Sequence, residues 1–296
     1  MAAFAFACFS VFFNPAASSL LPALVDDEAD IVGANSAIWS AAVLSQIVLA
    51  PVAGVLVAFA GPGPAFALNA GSFLGSALLL IGLHLPAAGR PVVARRVAEI
   101  GEGLRAVRDS RLLSTLAWVQ LLAALSAGAT SALLVVLAQD HLRVGPSRFG
   151  WLLAAIGVGA GFGPLVLQRL VEDVRRPRFL FGPYVLRGLV DWLLAASSSF
   201  GSALGALALY GIGTSVGNVT YQSTIQAVVP DRLRGRVFTF YDVVWQSARL
   251  ASIAGGGMLA DYVGIRAVYA LGGALLLAAG VLGLARVRKL DTVAEA

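Results

Sequence analysis

Residues 267–285 read AVYALGGALLLAAGVLGLA, an apolar run without a charge that is flanked by Arg266 and Arg286. A helix that crosses a membrane needs about 20 mainly apolar residues, because each residue adds about 1.5 Å across a hydrocarbon core of roughly 30 Å. A helix also satisfies its own backbone hydrogen bonds in lipid, and the run is too long and too continuously apolar for a barrel strand. This run is therefore predicted to be a transmembrane helix.

Further stretches of the same kind occur throughout the chain, and the composition agrees with them. Hydrophobic residues make up 58% of the 296 residues and charged residues 12%, whereas soluble proteins carry about 25% charged residues. We therefore predict an all-α membrane protein with about nine transmembrane helices. The other predicted spans are 2–25, 34–60, 64–86, 113–138, 149–170, 179–199, 202–229 and 237–262.

The residue types that most enzymes and metal proteins require are scarce. Cys8 is the single cysteine, and His84 and His141 are the two histidines, so neither an internal disulfide nor a Cys/His metal site can be assembled. The histidines fall at opposite membrane faces of the predicted topology, which excludes a Ser/His/Asp hydrolase site. Phosphate-binding and dinucleotide-binding glycine loops are absent as well. We predict a protein that is not an enzyme and holds no metal or cofactor.

Basic residues are concentrated in every second connection between the predicted spans. Short loops rich in Arg and Lys stay on the cytoplasmic side of a membrane, and the opposite loops carry only Arg143, Arg148 and Arg266. We therefore predict a multi-pass protein of the inner (plasma) membrane with a cytoplasmic C-terminus, and we interpret the basic loops as topology determinants rather than nucleic-acid sites. The basic groups lie within 90–111, 169–178, 232–236 and 286–289.

Part of the sequence recurs six predicted helices later. Gly54 and Gly61 match Gly257 and Gly264 at one offset, and parallel repeats of this kind occur in transporters with two halves. Only three spans precede the complete second half, so three helices are expected to be missing from the front. The predicted parts are a three-helix partial bundle (1–89), a cytoplasmic linker (90–112) that binds anionic lipid at the membrane surface, a six-helix bundle (113–289) and a cytoplasmic tail (290–296).

Two runs resemble signatures of the major facilitator superfamily of secondary transporters. They are PDRLRGRVF at 230–238 and GMLADYVGIR at 257–266, the second of which is similar to the superfamily's Gly-x-Leu-Ala-Asp-x-x-Gly-x-Arg loop. Together with 15–22, Ala34-Asn35 and 66–70, they look most like the bacterial exporter branch that includes enterobactin and macrolide exporters. The Gly-Pro-x-x-Gly-Gly end of helix five in antiporters is kept only at Pro51 and Gly54.

This resemblance implies helices four to twelve of a twelve-helix fold. It also implies a secondary active transporter that exports small amphipathic molecules by alternating access. We expect the proton to be the coupling ion. A truncated remnant that does not transport is the alternative, because half of the cavity wall would be lost with three helices.

Charged and polar side chains inside the predicted spans are the candidate pathway residues. An ionisable side chain at the bilayer centre costs about 2.5–3.5 kcal/mol, so it needs a partner or a role. Arg187 and Asp191 are four residues apart on one helical face where they can pair, which fits both a structural ion pair and substrate or proton handling. We expect Arg249 to serve the pathway and Asp191 to carry the proton. The other candidates, for which interhelical hydrogen bonding is the alternative, are Asn218, Gln222, Asp242, Trp245 and Gln246.

Residues of the two signature runs are the candidate gating residues. The resemblance suggests that the loop 230–238 helps to set the cytoplasmic gate, while simple anchoring by positive charge is the alternative. The residues concerned are Arg234, Arg236, Asp261 and Arg266.

Overall fold

The computed structural model describes residues 28–81, 101–170 apart from residue 103, and 176–294. The predicted span 2–25 and most of the predicted linker lie outside the described residues. All regular structure within the described part is helical, which confirms the predicted all-α class. The long helices are α1 (Glu28–Ala60), α2 (Pro62–Ile81), α3 (Arg111–Ala132), α4 (Pro146–Leu170), α5 (Pro177–Ala196), α6 (Phe200–Val228), α7 (Asp231–Val263) and α8 (Ile265–Ala294).

Six of these helices are long and apolar enough to cross a membrane: α1, α3, α4, α5, α6 and α8. Large apolar side chains such as Phe59, Phe66, Trp118 and Leu250 are exposed on the outside. Soluble proteins rarely expose apolar surface on this scale, so these side chains fit contact with lipid. The exact number of crossings stays a prediction.

The ends of the helices follow from local chemistry. The Ser110 side chain accepts a hydrogen bond from the Leu113 N–H and caps α3, and Pro177 begins α5, as expected for residues that suit a first helical turn. After α3, a short helix at Leu134–Val136 and a π-helical turn at Leu137–His141 lead to α4. At the other end of the chain α8 continues to Ala294, so the predicted tail is helical up to that residue.

Two of the matched glycines, Gly61 and Gly264, both have a positive φ. Gly61 separates α1 from α2 and Gly264 separates α7 from α8, with φ values of 77° and 84°. A Cβ added at either position would meet nothing within 4 Å, so the requirement is conformational and does not come from packing. Only glycine adopts positive φ without steric cost. The recurring glycine therefore marks the same tight connection between two helices at both places in the sequence.

Helices α3 to α8 pack into a bundle, with α1 laid against it. Helix α3 lies between α7 and α8, α8 packs on α5, α5 on α6, α6 on α4, and α4 on α1. Where α1 crosses α4, a Cβ on Gly54 would lie 2.6 Å from the Pro146 carbonyl oxygen. Small residues let helix backbones approach in this way.

Two apolar clusters fill the bundle. The cluster around Leu116, Val229 and Val237 also takes in Val107 of the helical segment 104–109, and we call this end of the bundle the linker end. The cluster around Leu137, Leu152 and Leu194 occupies the opposite end. The layer between them holds most of the polar side chains described below.

Candidate functional site

A cavity of about 330 Å³ lies between α3, α5, α6 and α7. Its polar wall residues Gln120, Arg187, Asn218 and Asp242 come from four different helices. Each of them lies roughly ten residues from the linker end of its helix, or about 15 Å at about 1.5 Å per residue. The four side chains therefore form one polar layer at about half the thickness of a membrane.

Aromatic side chains make up much of the remaining wall. The rings of Tyr221 and Tyr241 meet edge to face, with centroids 5.6 Å apart and an interplanar angle of 86°. The Tyr241 hydroxyl donates to the Leu113 carbonyl at 2.6 Å, and the Tyr184 hydroxyl donates to Oε1 of Gln120 at 3.2 Å. Edge-to-face rings with bonded hydroxyls are well fixed in position. Tyr184, Tyr221, Tyr241 and Trp245 thus give the cavity an ordered aromatic surface.

Arg187 is buried at the cavity wall and bonds to α6. Its side chain is 8% exposed, and its Nη2 donates to the Tyr210 hydroxyl at 2.9 Å. The guanidinium carbon lies 4.7 Å from the centroid of the Tyr210 ring, and Nε is buried without a hydrogen-bond partner. Tyr210 therefore provides both the hydrogen-bond acceptor and the aromatic face that Arg187 contacts, and both are neutral groups.

Asp191 lies one turn farther along α5 and is not on the cavity wall. It is 1% exposed, and its Oδ2 accepts a hydrogen bond from the Ser126 hydroxyl of α3 at 3.4 Å. Within the described part of the chain no ion pair of 4.0 Å or less joins Asp191 to Arg187. The predicted common face is present, but each of the two charged groups bonds to a different neighbouring helix.

The predicted polar face of α7 is divided by the structure. Asp242 and Trp245 line the cavity, whereas Gln246 and Arg249 are exposed and lie off its wall. On α6 the Gln222 amide donates to Oδ1 of Asn218 at 3.1 Å, and both residues line the cavity. Of the eight predicted pathway residues, the wall therefore brings together Arg187, Asn218, Gln222, Asp242 and Trp245.

The predicted gating residues lie at the start of α7 and at the turn where α7 is followed by α8. Arg236 forms an ion pair with Glu102 of the linker, and Arg234 donates to the Gln226 carbonyl of α6 at 2.8 Å. At the opposite end Arg266, in the first turn of α8, donates from Nε to the Ala195 carbonyl at 2.7 Å, and Asp261 is exposed in the last turn of α7. The four residues are thus two separate groups that are about a membrane thickness apart.

Sequence reasoning missed several partners that define this site. Tyr210, Ser126 and Glu102 bond to predicted residues, yet none was predicted, because each lies on a different helix or segment from its partner. The sequence could have indicated Tyr184 as a site residue, since Tyr184, Arg187 and Asp191 follow the spacing of one helical face. Within the described residues, no group of three or more His, Cys, Asp or Glu side chains could hold a metal ion.

Comparisons with known proteins identify the family. A family model described as transmembrane secretion effector matches residues 2–296. The uncharacterized MFS-type transporter YfiS of Bacillus subtilis (strain 168) is 28% identical over 293 residues, which cover 94% of this chain and 68% of that protein. The multidrug efflux pump Tap of Mycolicibacterium fortuitum is 28% identical over 297 residues, which cover 96% of this chain and 72% of that pump.

No solved structure matches the chain significantly. The resemblance to the major facilitator superfamily is confirmed by the family model and by both relatives. The efflux-pump relative and the apolar helices together support a multi-pass membrane protein that transports or exports. Because the family model spans nearly the whole sequence, this chain belongs to the transmembrane secretion effector family of MFS-type transporters.

Proposed function

We propose that this protein exports small amphipathic molecules by alternating access and that the cavity between α3, α5, α6 and α7 is the substrate site. The observation that carries the proposal is the single layer of polar and aromatic side chains from four helices at about half the membrane thickness. Transporter sites lie near the bilayer midplane, between parts that rock against each other. Ligand pockets combine apolar and aromatic walls with a few placed polar groups, as this cavity does.

The path of the substrate runs along α7 in this proposal. Asp242 and Trp245 contact the substrate in the cavity, and Gln246 and Arg249 continue the same face of the helix outside it. At the linker end, the contact between Arg236 and Glu102 holds the linker against the start of α7. Opening this end for the substrate requires the contact to break, which makes Arg236 a gating residue.

The proposed coupling ion is the proton, and Asp191 is its proposed carrier. The side chain is 1% exposed, has no ion pair within 4.0 Å among the described residues, and receives one long hydrogen bond from Ser126. A charged carboxylate in such surroundings is costly, so a buried one calls for a role. Taking up and releasing a proton as the bundle changes conformation provides that role.

The remaining proposals concern the membrane. The linker end is placed in the cytoplasm, together with the C-terminus, because the basic loops cluster there. Arg105 and Arg108 are exposed on the segment 104–109, while Val107 is buried in the bundle. These exposed arginines are suited to anionic lipid headgroups at the surface of the inner membrane.

Transport by the purified protein in liposomes tests the proposed function. Uptake of ethidium and of fluorescein into liposomes is followed by fluorescence, with and without an imposed proton gradient. We expect the wild type to move at least one of these probes when the gradient is present and Asp191→Asn to lose that dependence. Asp140→Asn, which changes an exposed carboxylate at the opposite end, is the matched control and should transport as the wild type does.

Two results would contradict the proposals separately. If neither probe enters liposomes that contain correctly folded wild-type protein, the export function is wrong. If a probe enters at the same rate with and without the gradient, the protein transports the probe but the proposal of proton coupling is wrong.

A further inference from the structure

We propose that the cavity prefers substrates with an anionic group and that Arg187 is the residue that recognises this group. The inference rests on the proposed function, since it concerns the substrate class of the same cavity. It depends on the charge balance around Arg187, on the free donors of its guanidinium and on the aromatic wall beside it.

The first step is that Arg187 is a buried cation without an anionic contact. Its hydrogen bond and its ring contact both go to Tyr210, a neutral side chain. No carboxylate of the described residues lies within 4.0 Å of the guanidinium. Burying a charge is costly unless a partner compensates for it. A negatively charged substrate in the cavity would supply that partner.

The second step concerns the carboxylates nearby. Asp191 is on the same face of α5, but it is off the cavity wall and turned to Ser126 of α3. Asp242 does line the cavity, but its side chain is exposed. Water and salt screen an exposed charge far more than a buried one. The charge of Asp242 is therefore screened more than that of the buried Arg187 when the cavity is filled with water.

The third step is geometric. The Tyr210 hydroxyl occupies one N–H of Nη2, while Nε has no hydrogen-bond partner. A planar guanidinium can bind a carboxylate through two parallel N–H bonds, which makes the contact stronger than one to a neutral acceptor. Because Nε is buried, Nη1 and the second N–H of Nη2 are the donors that Arg187 keeps for a substrate acceptor after its bond with Tyr210 is made.

The fourth step defines the rest of the ligand. Tyr184, Tyr221, Tyr241 and Trp245 lie on the wall that Arg187 shares. Such side chains favour flat apolar bodies that stack against them or meet their edges. An aromatic carboxylate combines both requirements, so the proposed substrate class is that of amphipathic organic acids with an aromatic body.

Calorimetric binding to the detergent-solubilised full chain tests this inference. The probes are 2-naphthoate, 2-naphthamide and 2-naphthylmethylammonium, which share one aromatic body and differ in charge. We expect the wild type to bind 2-naphthoate about tenfold more tightly than either of the others, because charge-assisted hydrogen bonds are roughly twice as strong as neutral ones. Arg187→Gln should lower the affinity for 2-naphthoate about tenfold and leave the affinity for 2-naphthamide within about twofold of the wild-type value.

Two further variants separate recognition from folding. Arg187→Lys keeps the charge and should recover part of the 2-naphthoate affinity. Arg148→Gln removes another arginine that lies over an aromatic ring, 5.6 Å from Phe200 near the opposite end, and should change none of the affinities. Thermal unfolding of every variant is measured alongside.

The comparison of the three probes on the wild type needs no variant, so it decides the matter even if Arg187→Gln fails to fold. Equal affinities, a preference for the ammonium probe, or no binding of 2-naphthoate up to about 10 mM would overturn the inference. Unchanged 2-naphthoate binding by a folded Arg187→Gln variant would overturn it as well. Gradient-driven transport of ethidium alongside any of these results would leave the proposed export function standing.

Discussion

Tyr210 contacts Arg187 through its hydroxyl at 2.9 Å and through the face of its ring at 4.7 Å. Replacing it in Tyr210→Phe removes the hydrogen bond and keeps the ring. We expect the free energy of unfolding to fall by about 1.5–3 kcal/mol, since a hydrogen bond to a charged group contributes about that much. Urea unfolding in micelles, followed by circular dichroism, measures the change.

The matched control for this prediction is Tyr262→Phe. Tyr262 is 84% exposed on α7, and surface substitutions usually change stability by less than about 0.5 kcal/mol. Equal effects of the two substitutions would show that the Arg187–Tyr210 contact contributes little to stability.

Arg187 and Asp191 show what the spacing of residues in a sequence can predict and what it cannot. The four-residue separation of Arg187 and Asp191 places both on one buried face of α5, as predicted. It could not identify their partners, because Tyr210 belongs to α6 and Ser126 to α3. A local repeat describes one helix, whereas the choice of partner depends on how helices far apart in sequence are packed.

Helix α5 meets α8 at a pair of glycines. A Cβ on Gly188 would lie 2.8 Å from the carbonyl oxygen of Gly273, a backbone atom that cannot move away by itself. We expect Gly188→Ala to destabilise the protein by about 1–3 kcal/mol, the usual cost of adding a methyl group to a packed interface. Thermal unfolding in detergent measures this.

Gly205→Ala on α6 is the control, because a Cβ there would meet nothing within 4 Å. It should stabilise α6 by about 0.5–1 kcal/mol, since alanine is the better helix former. If both substitutions shifted the unfolding temperature in the same direction, close packing between α5 and α8 would not explain the glycine.

The linker is attached to α7 by the Glu102–Arg236 ion pair, and its Val107 is buried in the apolar cluster at the linker end. Both charged side chains are partly exposed, so we expect Arg236→Lys to change the free energy of unfolding by less than about 1 kcal/mol. Its transport rate in liposomes should nevertheless fall, because lysine lacks the planar fork of arginine. Arg105→Lys, on the same linker, is the control. Wild-type rates in Arg236→Lys would favour anchoring by positive charge and remove the gating role.

Helix ends were predicted less well than helix positions. α1 begins at Glu28 rather than at residue 34, because a helix can extend past the apolar stretch into polar residues. In contrast, the match between Gly61 and Gly264 is visible in the sequence, and the positive φ of both residues gives its physical reason. A glycine that is required for a positive φ can be recognised from the sequence, whereas the contacts between packed helices cannot.

At the scale of the molecule, orientation in the membrane is the first quantity to test. In a Cys8→Ser background, single cysteines replace Arg108 at the linker end and Ser198 at the opposite end, both of which are exposed. We expect a membrane-impermeant maleimide to label intact cells at position 198 and not at position 108, since the basic loops favour a cytoplasmic linker end. Labelling of both positions after the cells are opened is the control, and the reverse pattern on intact cells would invert the topology.

The order in which the helices pack could not be predicted from the sequence. In water an apolar stripe marks the side of a helix that faces the core, but in lipid both sides are apolar. The helices α3 and α6 accordingly carry no clear stripe, although each contacts two or more neighbours. The cavity depends on this packing, which is why the pathway residues could be nominated from the sequence but not assembled into one wall.

The buried Arg187 at the cavity wall, which has no carboxylate of the described residues within 4.0 Å, has an electrical consequence. If an organic anion leaves the cell from Arg187, each transport cycle carries a negative charge outward across a membrane that is negative inside. Moving one elementary charge in this direction gains about 2.3 kcal/mol per 100 mV, and a proton that enters in exchange adds a second charge with the same sign of work. Export would then be driven by voltage as well as by the pH difference. Clamping the membrane potential at zero with potassium and valinomycin would slow it even when the pH difference is held constant.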